Sequence, residues 1–439
     1  MAQAALVKTE AEQRLAAEWA AAKARLAGPT NLREAAFHRF EAAGLPNRRV
    51  EQWKYTDLRA LMRDAKPLAL PPDQAVLARA ADAGGAVSGI DAHRLTIVNG
   101  FLAPAAPDAA AADPGIMISE IFTYLADPLL ASQNHLGGTL PADDVAVALN
   151  TAFMSGGIVI QIARDALTER PIHVAHVFSG TEAAAVYSRS LVIVEPGARV
   201  TLIETFEGPA GIDYQVNSAL ELIVGDGAVV ERIRVVGEGS DALHLSSIGI
   251  TLGEGASYND FTLVSGGAVV RNQAFVRCGG RDARVGLRGV SLLRGKQHAD
   301  TTLVLDHRVS GCESREVFRS VLDDRSRNVF QGKIIVQPDA QQTDARMVSN
   351  ALMLSPDAEA DNKPELEIFA DDVQCGHGAT SGALDENLKF YLMARGIPEA
   401  EAETLLIQSF VGEVTDAVAH DGMRDVLAAA TQSWLHARK

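Results

Sequence analysis

The sequence predicts a mainly β protein, a parallel β-solenoid of short stacked strands flanked by helical regions at both ends. Three observations predict it. Between about residues 156 and 345 helical periodicity is nearly absent, while short Val/Ile/Leu runs recur with little between them. Three strand–turn–strand units resemble one another: Val194 to Val200, Val224 to Val229 and Leu252 to Ser257. Their Gly-Ala pairs begin at 197, 227 and 255, spaced by 30 and then 28 residues, and each closes one strand and opens the next. A coil-sized repeat of this kind is the signature of a solenoid. Roughly seven or eight coils of ~28 residues fit between 156 and 378. Strands stacked ~4.8 Å apart would fill a dry interior with Val, Ile, Leu and Ala. A β-sandwich is the competing fold, since strands at this spacing also suit one. The regular Gly-Ala turns and the long strand-only run favour the solenoid.

Three zones follow: 1–155, helical and loop-rich; 156–380, the β-helix core; and 381–439, helical. In the first, Lys8 to Leu26 is rich in Ala, Glu, Lys and Arg, all strong helix formers. After Gly28-Pro29, Asn31 with Glu34 reads as an N-cap pair, and Gly44 as the end of that helix. The segment LPNRRVEQWKYTDL (45–58) holds one of three Trp and one of six Tyr. It reads as an aromatic staple on the core in preference to a binding element. Lys66 to Asp144 is loop-rich, with a short strand at Leu95 to Val98. In the second zone strands are expected at 158–162, 172–174, 191–194, 219–224, 229–236 and 248–250. In the third, Asp385 caps a helix running to Arg395, Gly396 ends it, and Pro398 opens another. That helix carries Leu405, Leu406, Phe410, Val411 and Val414 at three-to-four spacing. A solenoid end exposes strand edges and needs a cap, so the stripe is either cap packing or a partner surface. A last helix runs from about Met423 to His436.

Composition excludes several functions. The 439 residues carry 56 acidic and 40 basic side chains, a formal charge of −16, which argues against non-specific binding to nucleic acid or an anionic membrane. No apolar run approaches the ~20 residues of a membrane span, and the N-terminus lacks a signal-peptide core. Three cysteines, Cys278, Cys312 and Cys375, with no pair close in sequence, make no disulfide framework. The expected compartment is therefore the reducing cytoplasm. Without a CxxC, no complete zinc or iron–sulfur site assembles from local motifs. No GxxxxGK[ST], HExxH or GxSxG occurs. Asp323-Asp324 and Asp371-Asp372 would face opposite sides of a strand, so neither is a ready acid–base dyad. His298, Asp306 and His307 are a weak metal hint, better read as surface or turn residues.

One segment does carry chemistry. Lys363 to Leu384 alternates like a strand and runs into Cys375-Gly376-His377. On an extended chain residues i and i+2 face the same side, so a thiol and an imidazole point together. Both bind iron, zinc or copper, although a full site needs three or four ligands. The plainer reading makes Cys375 a small buried filler and His377 a turn residue.

The block from Phe318 to Tyr391, which contains KPELEIFADDVQCGHGATSGALDENLKFY, together with LPNRRVEQWKYTDL and Ala148 to Phe153, resembles the SufB/SufD family of SUF iron–sulfur cluster assembly subunits. The WKYTDL segment and the lack of an N-terminal CxxC place the resemblance on the SufD side. It implies a right-handed parallel β-helix between helical N- and C-terminal regions, in a scaffold and not an enzyme. It also implies pairing with SufB through the last coils, edge to edge, and docking of the ATPase SufC on the C-terminal helical region. ATP-driven dimerisation of two SufC copies would strain the pair and open its interface. A nascent iron–sulfur cluster, transient and shared with SufB, would form there, with none held by the isolated chain. His377 is the implied cluster ligand, and Cys375 the less direct one. Leu405, Leu406, Phe410 and Val411 are the implied SufC-docking candidates. Residue 376 is Gly where Ser is frequent in the family, which should loosen the backbone there. An exposed terminal edge implies a homodimer when SufB is absent. Two alternatives stand beside this: a purely structural partner of SufB with no ligand, and a β-helix carbohydrate-active enzyme. For the enzyme, 5% aromatics is thin and no hexapeptide repeat occurs.

Overall fold

Alternation of apolar residues and a left-handed residue at each corner set the architecture. In the computed structural model, which describes residues 8–104, 115–127 and 135–438, strands from Ile158–Ile162 to Gln374–Gly382 fall alternately into two sheets. Two strands per coil make eight coils of a parallel solenoid, one sheet of nine strands and one of ten. In the ten-stranded sheet Val229 lies beside Ser257, then Arg284, Glu313, Asp344 and Gln374 in turn. The chain turns each corner at Gly197, Gly227 and Gly255, with φ of 75°, 64° and 63°, a region costly for any residue with a Cβ. The alanine after each of these glycines is fully buried. Several strands exceed the sequence expectation: 219–224 is part of Gln215–Val224, and 248–250 part of Leu243–Leu252.

The two ends differ. At the first coil, Phe101–Leu102 adds antiparallel to His93–Val98, and Ile116–Glu120 adds antiparallel to Ile158–Ile162. The other end is open. Glu359–Ile368 and Gln374–Gly382 are the outermost strands of their sheets, each with one hydrogen-bonding edge unpaired among the described residues. The expected helical cap is not there. Helices Glu399–Thr415 and Asp421–His436 lie along the outer face of the ten-stranded sheet, where Ile407, Val411, Val414 and Leu427 pack on Ile233, Phe261, Val290 and Val321. The physical reason is that this sheet's outer face is itself apolar, and burying it outweighs covering one edge. The N-terminal helices Glu10–Ala22 and Thr30–Ala43, with Val145–Phe153, cover the nine-stranded sheet through Trp19, Phe37, Phe153 and Tyr187.

Local expectations meet mixed outcomes. Thr9 and Glu12 form a capping box at the first helix. The second helix starts at Thr30 directly after Pro29, with no side-chain cap, so Asn31 is not its N-cap. Gly44 ends it at φ 70°. The loop-rich stretch contains the strand His93–Val98 and the short helices Gln74–Arg79 and Ile121–Ala126; positions 105–114 and 128–134 lie outside the described residues. Trp53 is the staple expected: it is buried, with the Arg271 guanidinium 3.9 Å above its ring. Asp385 caps Glu386–Ala394. The interior is not uniformly aliphatic. Arg232 bridges Glu204 (2.5 Å) and Asp260 (3.1 Å) at its centre, beside a cavity of about 40 Å³ reached by Ser246 and Asn272. Among the described residues no helix is long and apolar enough to cross a membrane.

Candidate functional site

Cys375 and His377 lie on the last strand of the ten-stranded sheet, so His377 is a strand residue and not a turn residue. Register fixes where they point. Cys375 stacks on Ala345 and His377 on Met347, both fully buried in the solenoid core. Parallel partners share a face, so both side chains occupy the inward columns of the coil. The same columns continue one rung lower to Ser314 and Glu316. Cys375 is half-buried against the core, and burial pushes its thiol up. His377 is exposed, because no further coil lies over it. The two open into a shallow depression of about 410 Å³ that also involves Arg346, Met347 and Gln374. A thiol and an imidazole are two ligands of the three or four that a metal centre needs, and the open side is where further ligands can arrive. A Cβ at Gly376 would meet no atom within 4 Å, so serine fits there without displacement.

The rim of this end is mixed. Lys333–Glu367 and Arg327–Asp361, both 2.6 Å, tie the penultimate nine-stranded rung to the last, and Pro364 sits on the edge strand, where proline is tolerated. Ile368 and Phe369 are exposed at the corner.

The stripe on Glu399–Thr415 divides. Val411 is 2% exposed and faces the sheet, which removes it from any surface available to a partner. Phe410 is partly buried beneath the Arg319 guanidinium at 4.9 Å, and Leu406 is half-buried. Leu405 is 41% exposed. The preceding helix, Glu386–Ala394, buries no residue and exposes Leu388, Phe390, Tyr391 and Met393. Sequence reading placed this helix but not its exposed apolar surface, because its apolar residues are nearly consecutive and form no stripe.

A third group was also missed. Cys278 and His307 are register partners on adjacent rungs, and Cys312 sits in the corner that follows. Their ligating atoms all lie within 4.8 Å of one another and all three residues are fully buried. His307 is therefore neither a surface nor a turn residue, and the two cysteines, distant in sequence, are neighbours in space. Both thiols are free. The closeness of the two thiols pulls the Cys312 thiol down and pushes the Cys278 thiol up, and Cys312 Sγ donates to the Gly280 carbonyl at 3.5 Å. The signal that finds them is the repeat itself: Gly311-Cys312 aligns with the Gly-Ala corners, and Cys278-Gly279 with Val224-Gly225 and Leu252-Gly253. His298 is partly buried against the Thr56 hydroxyl at 2.9 Å, and burial lowers its pKa to about 4.

Comparison with known proteins identifies the family. The sequence model of the SUF system FeS cluster assembly, SufBD core domain, matches residues 176–410, and that of the SufBD protein N-terminal region matches 20–174. The iron–sulfur cluster assembly protein SufD of Escherichia coli is 27% identical over 88% of this chain and 88% of its own length. An iron–sulfur cluster assembly SufBD family protein of Synechocystis is 28% identical over 88% of this chain and 87% of its own. SufD of Bacillus subtilis is 26% identical over 73% and 74%. The chain belongs to the SufB/SufD family of SUF-system iron–sulfur cluster assembly proteins, and it stands with the SufD members.

Proposed function

We propose that this chain is a scaffold subunit whose open solenoid end forms one half of a seam with SufB, and that a nascent iron–sulfur cluster, as cargo, is built in that seam. The observation that carries the reading is the placement of Cys375 and His377: the thiol–imidazole pair on the terminal rung faces the coil's axis at the end of the solenoid where both sheets finish in an unpaired parallel strand. Two unpaired edges invite continuation by another sheet, and a cluster there would draw its remaining ligands from the second subunit. The role of His377 is a neutral imidazole ligand. That of Cys375 is a thiol, which loses its proton on metal binding.

The region 381–439 is the docking element for SufC in this reading. Helix Glu386–Ala394 is tied to Glu399–Thr415 by Lys389 with Glu399 and Glu403, and the two helices together expose Leu388, Phe390, Tyr391, Met393 and Leu405, which supports a docking role. No GxxxxGK[ST] occurs in the sequence, so in this reading the nucleotide chemistry belongs to SufC, whose ATP-driven dimerisation would supply the force that opens the seam. Alone, the chain would satisfy its free edges by pairing with a second copy.

The test is His377→Ala in cells. The reading requires an intact complex, since His377 is exposed and supports no packing, together with lowered cluster maturation. Unchanged maturation would leave a purely structural partner of SufB as the correct description.

A further inference from the structure

We propose that Cys278, His307 and Cys312 form an internal site for one borderline-to-soft metal cation of the zinc or ferrous class, held by two thiolate sulfurs and Nδ1 of His307. The site is separate from the terminal rung and does not depend on the cluster reading above.

The solenoid provides its own control. At the end of each strand of the nine-stranded sheet one inward position repeats from coil to coil: Val194, Val224, Leu252, Cys278, His307, Val336 and Ile368. The facing corner repeats Ala198, Ala228, Ala256, Ala283, Cys312 and Thr343. Aliphatic residues satisfy the packing at this corner on the earlier coils. Four residues depart from that pattern, Cys278, His307, Cys312 and Thr343, and the three whose ligating atoms converge, Cys278, His307 and Cys312, are all of metal-ligating type. A corner needing only volume has no use for an imidazole in place of valine.

Hydrogen bonding points the same way. Nε2 of His307 lies 3.2 Å from the Ser314 hydroxyl, whereas Nδ1 is fully buried with no hydrogen-bond partner. Burying an imidazole nitrogen unpaired is costly. Ligation removes that cost, and a ligating imidazole characteristically has its second nitrogen held by a neighbouring polar group, here Ser314. Distances are compatible. About 2.3 Å to sulfur and about 2.0 Å to nitrogen put tetrahedral ligands ~3.5–3.8 Å apart, a small closure from a set already within 4.8 Å. Charge is compatible as well: two thiolates neutralise a dication, so the loaded site buries no net charge. Loading releases the thiol protons to solvent. Three protein ligands leave one coordination position open, the arrangement of sites that keep a water or an exchangeable group.

The experiment uses the full chain, produced in medium where Co²⁺ replaces Zn²⁺ and purified without thiol reductants. A single Co²⁺ per chain should survive gel filtration in chelator, because the site has no solvent exposure. It should show thiolate-to-cobalt charge transfer in the near ultraviolet and the intense visible bands of tetrahedral cobalt. Cys375→Ser with His377→Ala should retain both signals. Cys278→Ala with Cys312→Ala should lose both, and His307→Gln should bind at least tenfold more weakly. Wild-type chain carrying no stoichiometric cobalt or zinc overturns the proposal without any variant having to fold. So does loss of the signals in the Cys375/His377 variant alone, or an intact mass showing Cys278 and Cys312 joined as a disulfide.

Discussion

Leu405→Asp separates docking from packing on a single helix, with Val411→Asp as its counterpart. Val411 is 2% exposed among Ile407, Val414, Phe261 and Val290. Aspartate there forfeits the burial of a valine side chain, about 1.5–3 kcal/mol, and forces a carboxyl into an apolar cluster at a further ~2 kcal/mol or more. The sum, roughly 4 kcal/mol, is a large part of the ~5–15 kcal/mol that holds a domain together. At about 2 °C per kcal/mol for a chain of this size, the melting temperature should fall by about 8 °C. Leu405 is already 41% exposed, so its aspartate should cost ~1 kcal/mol or less and move the melt by about 2 °C at most. Against SufC the order reverses. A leucine desolvated at the centre of an interface is worth ~2 kcal/mol, about 30-fold in Kd. Calorimetric melting of both variants, with titration of each folded variant against SufC, reads the two effects apart. If Leu405→Asp binds SufC unchanged, and still does so with Leu388→Asp and Phe390→Asp added, the helical region is packing alone and the docking assignment is wrong.

Two further outcomes follow from buried groups. Arg271 pairs with the fully buried Asp300 and donates to the Gln52 carbonyl at 2.7 Å; Arg271→Met should therefore cost about 3–5 kcal/mol by stranding the carboxylate, and Asp300→Asn added to it should recover part, whereas additive losses in urea melts would show the pair is not coupled. Burial raises the Glu316 carboxyl to about 8. Its folded pKa lies above its unfolded one, so between about pH 4.5 and 8 unfolding releases a proton and stability falls as pH rises, by at most about 1.4 kcal/mol per unit. Glu316→Gln should flatten that slope, and an unchanged slope would place the titration elsewhere.

The coil was legible because its repeat is carried by residues with one physical job. Only glycine turns the corner cheaply at positive φ, and only a small residue fits behind it, so Gly197-Ala198, Gly227-Ala228 and Gly255-Ala256 announce the period. Later corners use Asp282, Gly311 and Gln342 at φ 58°, 77° and 61°, which hides the period and with it the alignment of Cys278, His307 and Cys312. The placement of His377 and Cys375 on one face followed from strand alternation. That the face is the inner one follows from register with Ala345 and Met347, which no single strand reveals. The helices were legible as helices, through Asp385, Gly396 and Pro398. Their destination was not, because an apolar stripe fits a solenoid's edge and a sheet's face equally well, and only the three-dimensional position of Ile233, Phe261 and Val290 decides between them.

The most direct measurement is iron content and the visible spectrum of the chain purified anaerobically alone, with SufB, and with SufB and SufC. The account predicts no cluster on the isolated chain, a cluster signal in the full complex, and a diminished signal in the same complex carrying His377→Ala. A cluster on the chain alone, or an identical spectrum from the His377→Ala complex, would contradict it.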